Sequence, residues 1–216
     1  MTRFYFIRHA QPEGLKPGVF GTLPPNTGLS CLGRKQAERL RDRLQHTSEI
    51  VADILLSSPL LRARETADIL APVLGLPVLI EEGVQEINIG ASEGLTLEEI
   101  NERFDGGAFD ILQEPFRPME NGDSYAGFVM RTYEALDRLI RQYEGKTVVI
   151  VSHGGVIRVS FAYFMGLHPF NAFSIGLRCA NTCITHWHRG MSEQQKPLWY
   201  LEQYNDHAHL AGLETD

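Results

Sequence analysis

Phe4-Tyr5-Phe6-Ile7-Arg8-His9-Ala10 is an apolar run that stops abruptly on a guanidinium and an imidazole placed side by side. Such a run, of strand length and releasing reactive polar groups at its end, is how an α/β protein presents chemistry at the carboxyl edge of a strand. The pattern recurs. Thr147 to His153, Thr-Val-Val-Ile-Val-Ser-His, is a β-branched run followed by Gly154, Gly155 and a helical periodicity. If the two strands are parallel neighbours, His9 and His153 emerge on one edge and can face one group between them.

Working outward, strands and helices alternate. Gln11 to Gly28 is Gly- and Pro-rich without period and reads as a long loop beside His9. Ser30 is placed to cap a helix whose stripe is Leu32, Ala37, Leu40 and Leu44. Val51–Leu56 reads as a strand, Ser58 as an N-cap with Pro59 at the first helical position, and Leu60–Leu74 as a helix closed by Gly75. Pro77–Ile80 is a short strand. After a loop from Glu82 to Gly94, Thr96 and Glu99 form a capping box opening a helix to about Phe104. Residues 105–123 carry Gly-Gly and two prolines and read as a lid over the sheet edge. Ser124 starts the longest helix, with Val129, Tyr133, Leu136 and Ile140 at helical spacing and Gly145 at its end. Strands at Thr182–Trp187 and Leu198–Tyr204 complete the chain. The expected architecture is a three-layer α/β sandwich, a mostly parallel sheet with helices on both faces, forming one domain over 1–216.

A chain of 216 residues that is 43% hydrophobic can build a substantial core. The net charge of −7 argues against a nucleic-acid binder, and no stretch approaches the ~18 apolar residues of a membrane span. With no export signal, Cys31, Cys179 and Cys183 read as free thiols in a reducing cytoplasm. Cys179, Cys183, His186 and His188 suggest a metal cluster, but read as a strand the two cysteines stand roughly 13 Å apart, with the histidines on the opposite face. No metal site is expected. Gly145-Lys146-Thr147 lacks the upstream glycine of a phosphate loop and precedes its strand, and no G-x-G-x-x-G follows any strand, so no nucleotide cofactor is expected either.

The residues left at strand ends are Arg8, His9, Arg62, Glu86 and His153. Two guanidinium forks neutralise a phosphoryl dianion without a metal, and the helix start after His153 adds N–H donors. Neighbouring cations push a histidine towards the neutral form whose nitrogen can attack phosphorus. The set reads as covalent phosphoryl transfer.

Five ordered motifs carry a resemblance. Arg8-His9-Ala10 resembles the Arg-His-Gly signature of the histidine phosphatase (phosphoglycerate mutase-like) superfamily. Leu29-Ser30 with Gly33, Gln36 and Ala37 resembles its Leu-Thr-x-x-Gly-x-x-Gln-Ala element, and Ser58 to Ala67 its Ser-Pro-Leu-x-Arg-Ala-x-x-Thr-Ala. Glu86 with Gly90, Glu93 and Gly94 is similar to the acid loop, and Val151 to Gly155 to the second-histidine motif. The resemblance implies His9 as nucleophile, Arg8, Arg62 and His153 as holders of the phosphoryl oxygens, and Glu86 as proton donor, with Glu82 and Glu93 as its rivals. It also implies substrate binding by Gly21, Ser30 and Gly154, and no cofactor. Arg64, Arg158 and Ser124 are read as surface or supporting residues.

Ala10 stands where the family has glycine, Leu15 where its mutases have a phosphate-contacting asparagine, and Ile87-Asn88-Ile89 where they have Arg-His-Tyr. These departures favour a phosphatase, with water as acceptor, over a mutase. A non-catalytic phosphate-binding module is the alternative from another class. Phe109, Phe116, Met119 and Tyr125 suit a phosphomonoester with an organic body; sugar phosphates, nucleotides and cobalamin precursors stay open. A cytoplasmic protein acting on a small-molecule phosphate ester is expected, as monomer or homodimer.

Overall fold

The computed structural model describes residues 1–14, 18, 19, 21, 26–103, 114–170 and 176–213. Its centre is a six-stranded sheet built from β1 (Thr2–Arg8), β2 (Ile54–Ser57), β3 (Val78–Ile80), β4 (Thr147–Ser152), β5 (Ile184–Met191) and β6 (Pro197–Asp206), in the order β3-β2-β4-β1-β5-β6. The first four in that order are mutually parallel, and β5 and β6 extend the sheet antiparallel. Arg8 pairs with Ser152, and the His9 N–H donates to the Ser152 carbonyl at 2.8 Å. The two strands are parallel neighbours, so the two apolar runs end together.

Helices cover both faces. The pleat sends Phe4 and Phe6 of β1, with Val148 and Ile150 of β4, against α4 (Tyr125–Gln142) and α5 (Gly154–Phe164). Tyr5, Ile7, Val149 and Val151 point the other way, onto Leu40 and Leu44 of α1 (Cys31–Thr47) and Ala63, Ala67 and Leu70 of α2 (Leu61–Leu74). The same alternation carries outward past the strand end, placing Arg8 on the α5 side and His9 beside α2.

Helix starts follow sequence chemistry in most places. Ser30 and Ser124 cap α1 and α4 by accepting from the N–H groups of Gly33 and Gly127. Before α3 (Leu97–Arg103), Thr96 N–H donates to Glu99 Oε2 at 2.7 Å and Glu99 N–H to Thr96 Oγ1 at 3.2 Å, a reciprocal capping box. Gly33 has a separate duty. An added Cβ there would stand 2.0 Å from the Gln11 carbonyl oxygen, so this glycine lets the loop after β1 lie directly on α1.

Four expectations need correction. The second strand begins at Ile54, because Asp53 turns its carboxylate onto the Thr147 N–H at 2.8 Å and Val51 stays 79% exposed. Ser58 is not the N-cap of α2, which is Leu60; its hydroxyl accepts from the Leu60 N–H at 3.3 Å and is held more closely, at 2.7 Å, by His153, 95 residues away. The strand expected from Thr182 starts at Ile184, since Thr182 adopts φ 54° in a turn closed by Cys183 N–H on the Ala180 carbonyl at 3.2 Å. That turn abolishes the 13 Å separation and brings the Cys179 and Cys183 thiols within interacting range. Among the described residues, no group of three or more His, Cys, Asp or Glu is placed to hold a metal ion.

Residues 105–113 of the expected lid, Phe109 among them, and Leu15 lie outside the described residues. The described residues of that stretch, 114–123, dock on the loop after Glu86, with Ala91 N–H on the Glu120 carbonyl and Asp123 N–H on the Asn88 carbonyl, both at 2.8 Å. No helix among the described residues is long and apolar enough to cross a membrane.

Candidate active site

At the carboxyl edge of β1 and β4 the rings of His9 and His153 lie 5.0 Å apart, His9 5% exposed and His153 fully buried. His9 Nδ1 is 2.7 Å from the Ala10 carbonyl, which can only accept, so Nδ1 carries the proton and Nε2 the lone pair. Arg62, the second residue of α2, donates from Nε to that Nε2 at 3.3 Å. Burial first, then the fields of Arg62 and Arg8, hold His9 well below the usual imidazole range. His153 is held down in the same way by burial, then by His9, Arg62, Arg8 and Arg131. Both rings are neutral near pH 7.

Arg8 donates from Nη1 to the Cys179 carbonyl. Its Nε and the Nδ1 of His153 are buried and have no hydrogen-bond partner among the described residues. Orphaned groups of this kind are costly unless a ligand satisfies them. Arg62 is pulled below the ordinary guanidinium value by burial, against the opposing pull of Glu86 and Glu93.

Glu86 reaches the start of α5, where its Oε2 accepts from the Gly155 N–H at 3.0 Å, and Oε1 accepts from the Ile87 N–H at 3.1 Å. The glycine pair divides the work. A Cβ at Gly154 would only touch Arg8 Nε at 3.8 Å, whereas one at Gly155 would stand 2.1 Å from Glu86 Oε1. Arg8, His9, Arg62, Glu86, His153 and Gly154 are thus brought together at one edge. Among the rival carboxylates, Glu82 is exposed, while Glu93 faces Arg62 electrostatically and stands against Gly21, an exposed residue at φ 72°. Ser30 spends its hydroxyl locally, accepting from Gly33 N–H at 2.9 Å and donating to Gln11 Oε1 at 2.8 Å.

Several supporting residues escaped the sequence reading. Ser58 Oγ pairs with His153 Nε2 at 2.7 Å. Thr66 accepts the Ala10 N–H at 3.0 Å and donates to the Arg62 carbonyl at 2.7 Å, tying the strand end to α2. Asn181 Nδ2 holds the His9 carbonyl at 2.9 Å. Ser152 Oγ donates to the Val84 carbonyl at 2.7 Å, and Arg131 of α4 reaches the carbonyls of Glu82, Gly83, Gln85 and Glu86, the shortest being Gln85 at 2.8 Å. Ser58 and Thr66 lay inside a matched motif; Arg131 had no local signal.

The sequence model of the histidine phosphatase superfamily, branch 1, matches residues 4–205. Phosphoserine phosphatase 1 of Hydrogenobacter thermophilus is 29% identical over 86% of this chain and 87% of its own. The metal-independent phosphoserine phosphatase of Arabidopsis thaliana is 27% identical over 99% of this chain and 85% of its own. Among solved structures, a mutant phosphoserine phosphatase from Entamoeba histolytica in complex with phosphoserine superposes with a TM-score of 0.74 at 28% identity, covering 97% of this chain and all of that one.

Proposed function

This chain belongs to the histidine phosphatase superfamily, branch 1, and is a phosphatase; on that premise we propose that it is a metal-independent phosphomonoesterase acting on a small organic phosphate through a phosphohistidine. The observation that carries the mechanism is His9 itself: neutral, with its tautomer fixed by Ala10 so that Nε2 is the nucleophilic atom, and set between two guanidinium groups. His9 Nε2 forms the N–P bond as the ester P–O bond breaks. Arg8, Arg62, His153 and the N–H groups opening α5 hold the phosphoryl oxygens, the orphaned Arg8 Nε and His153 Nδ1 supplying two of the donors. Glu86 gives a proton to the leaving alcohol, then takes one from the water that attacks phosphorus, and phosphate leaves with His9 restored.

Water as acceptor is favoured by the segment after Glu86. Asn88 folds its Oδ1 onto the Gly90 N–H at 2.9 Å and Ile89 is buried, so this stretch brings no cation to grip a second phosphate. Beside the site a cavity of about 710 Å³ is lined by Arg8, Glu86, Gly154, Arg158, Arg178 and His207, among others. Its cations suit a substrate body bearing a carboxylate, in keeping with the relatives named for phosphoserine. The test is rapid quenching with labelled substrate. The wild type should yield an acid-labile phosphoprotein, with turnover that survives EDTA, and His9→Ala should yield neither label nor turnover. Label that persists in His9→Ala and vanishes in His153→Ala would reverse the two histidine roles. A phosphomonoester panel should rank carboxylate-bearing esters above neutral sugar phosphates.

A further inference from the structure

The mechanism leaves two sulfurs unused beside one of its cations. Cys179 lines the same cavity as Arg8, Glu86 and Gly154 and is only partly buried. Cys183, at 0% exposure, stands across the turn at Thr182, its thiol within interacting range of that of Cys179. Both cysteines grip Arg8 through their backbones. The Cys179 carbonyl accepts from Arg8 Nη1, and the Cys183 carbonyl accepts the Arg8 N–H at 3.3 Å.

We propose that Cys179 and Cys183 form a hydroperoxide-responsive dithiol, whose oxidation to a disulfide shuts down the phosphatase site by moving the carbonyl that holds Arg8. The two sulfurs have different environments. The hydrogen bond from Cys183, then Arg8, Tyr204 and Arg158, outweigh burial and bring the Cys179 thiol down to about 7. The Cys183 thiol is pushed up by Cys179 and by burial. A low-pKa thiol on a partly buried, cavity-lining residue, beside a buried thiol that stays protonated, is the arrangement of an attacking and a resolving cysteine.

The chemistry balances with a hydroperoxide as oxidant. The Cys179 thiolate attacks the terminal peroxide oxygen, the O–O bond breaks, and a sulfenic acid forms as the other oxygen leaves with a proton, as water from hydrogen peroxide. The Cys183 sulfur then displaces the sulfenic hydroxyl as a second water, and two electrons have passed from the sulfurs to the peroxide. The two sulfurs, four residues apart across one turn, must approach to the ~2.05 Å of a disulfide. Cys183 is locked in the core, while Cys179 sits half-buried in a segment outside regular structure, so Cys179 makes the approach. Its carbonyl moves with it, and the guanidinium loses its anchor.

The loss of activity rests on the phosphatase reading; the covalent change does not. Reduced full-length protein is treated with hydrogen peroxide, mapped by mass spectrometry and assayed with p-nitrophenyl phosphate. A peptide joining Cys179 to Cys183 should appear while kcat/KM falls on the order of tenfold or more, as expected when a charge-stabilising donor is misplaced, and dithiothreitol should restore it. Cys183→Ser should stop at a Cys179 sulfenic acid that dimedone traps. Cys31→Ser should respond as the wild type does, since that thiol is exposed at the start of α1. Absence of the Cys179–Cys183 peptide, a bridged protein with unchanged kcat/KM, or equal reversible loss in Cys179→Ser relative to its own reduced form would each overturn the proposal. A reduced protein with no turnover would overturn the phosphatase reading instead, with the peptide map still deciding whether the dithiol forms.

Discussion

Gly155→Ala should leave the fold intact and disable proton transfer. The added methyl would stand 2.1 Å from Glu86 Oε1, and ordinary contact begins near 3.4 Å, so the carboxylate must retreat by about 1.3 Å. It can do so, because the obstructed atom is the end of a rotatable side chain. The stability terms nearly cancel: alanine improves helix propensity by at most about 1 kcal/mol, while the hydrogen bond from Gly155 N–H to the Glu86 carboxylate, a contribution of roughly 1–3 kcal/mol, is lost. Thermal melting should therefore move by only a few degrees. Catalysis should not be spared, since a displacement of about 1 Å of a reacting group costs on the order of 10²-fold. The assay compares burst-phase phosphoenzyme formation from an alkyl phosphate with that from p-nitrophenyl phosphate, whose leaving phenolate needs no proton. The alkyl burst should fall by about 10²-fold and the aryl burst far less. Gly154→Ala is the contrast: its methyl would stand 3.8 Å from Arg8 Nε, on the phosphoryl side, so any loss there should be alike for the two substrates. Equal loss for both substrates, or no loss for the alkyl ester, would refute Glu86 as the acid and move attention to Glu93.

Gly33→Ala should reverse the usual sign of a helical Gly→Ala change, because its methyl meets the fixed Gln11 backbone oxygen at 2.0 Å; denaturant titration should show a loss of about 1–3 kcal/mol. Arg131→Met should release the carbonyls of the acid loop and lower alkyl-phosphate turnover on the order of tenfold, with p-nitrophenyl phosphate bursts less affected. Stability should fall as pH drops below about 6.5: His9 and His153 are neutral when folded, the unfolded chain binds their protons first, and each contributes roughly 1.4 kcal/mol per pH unit until its own depressed pKa is reached. His186 and His209, each held near 4 with burial as the main cause, should extend that loss down to about pH 4, visible as melting temperatures from pH 7 to 4.

The layers, the sheet edge and its cluster were legible because β1 and β4 are long apolar runs whose ends are marked by their own polar residues. The reciprocal capping box at Thr96 and Glu99 was legible because it is closed within four residues. What escaped depends on distance along the chain. Ser58-Pro59 has the local form of a helix start, but a histidine 95 residues on takes the hydroxyl. Thr182 has strand propensity, and it is the contact of its N–H with the Arg8 carbonyl at 3.0 Å that accompanies the turn instead. Arg131 sits on a helix whose periodicity says only that its position is not core, and nothing local ties it to carbonyls 45 to 49 residues earlier.

That arginine has a consequence for how such an enzyme can change. The loop carrying Glu86 is moored by one guanidinium on four carbonyls and one serine on a fifth, contacts that read backbone and ignore side-chain identity. Residues 87 and 88 beside it can then be exchanged with little effect on the mooring. On the function proposed above, specificity becomes a replaceable fitting on a standard mount: new substrates can be explored by rewriting a few adjacent positions while His9, Glu86, the two arginines and the core stay as they are.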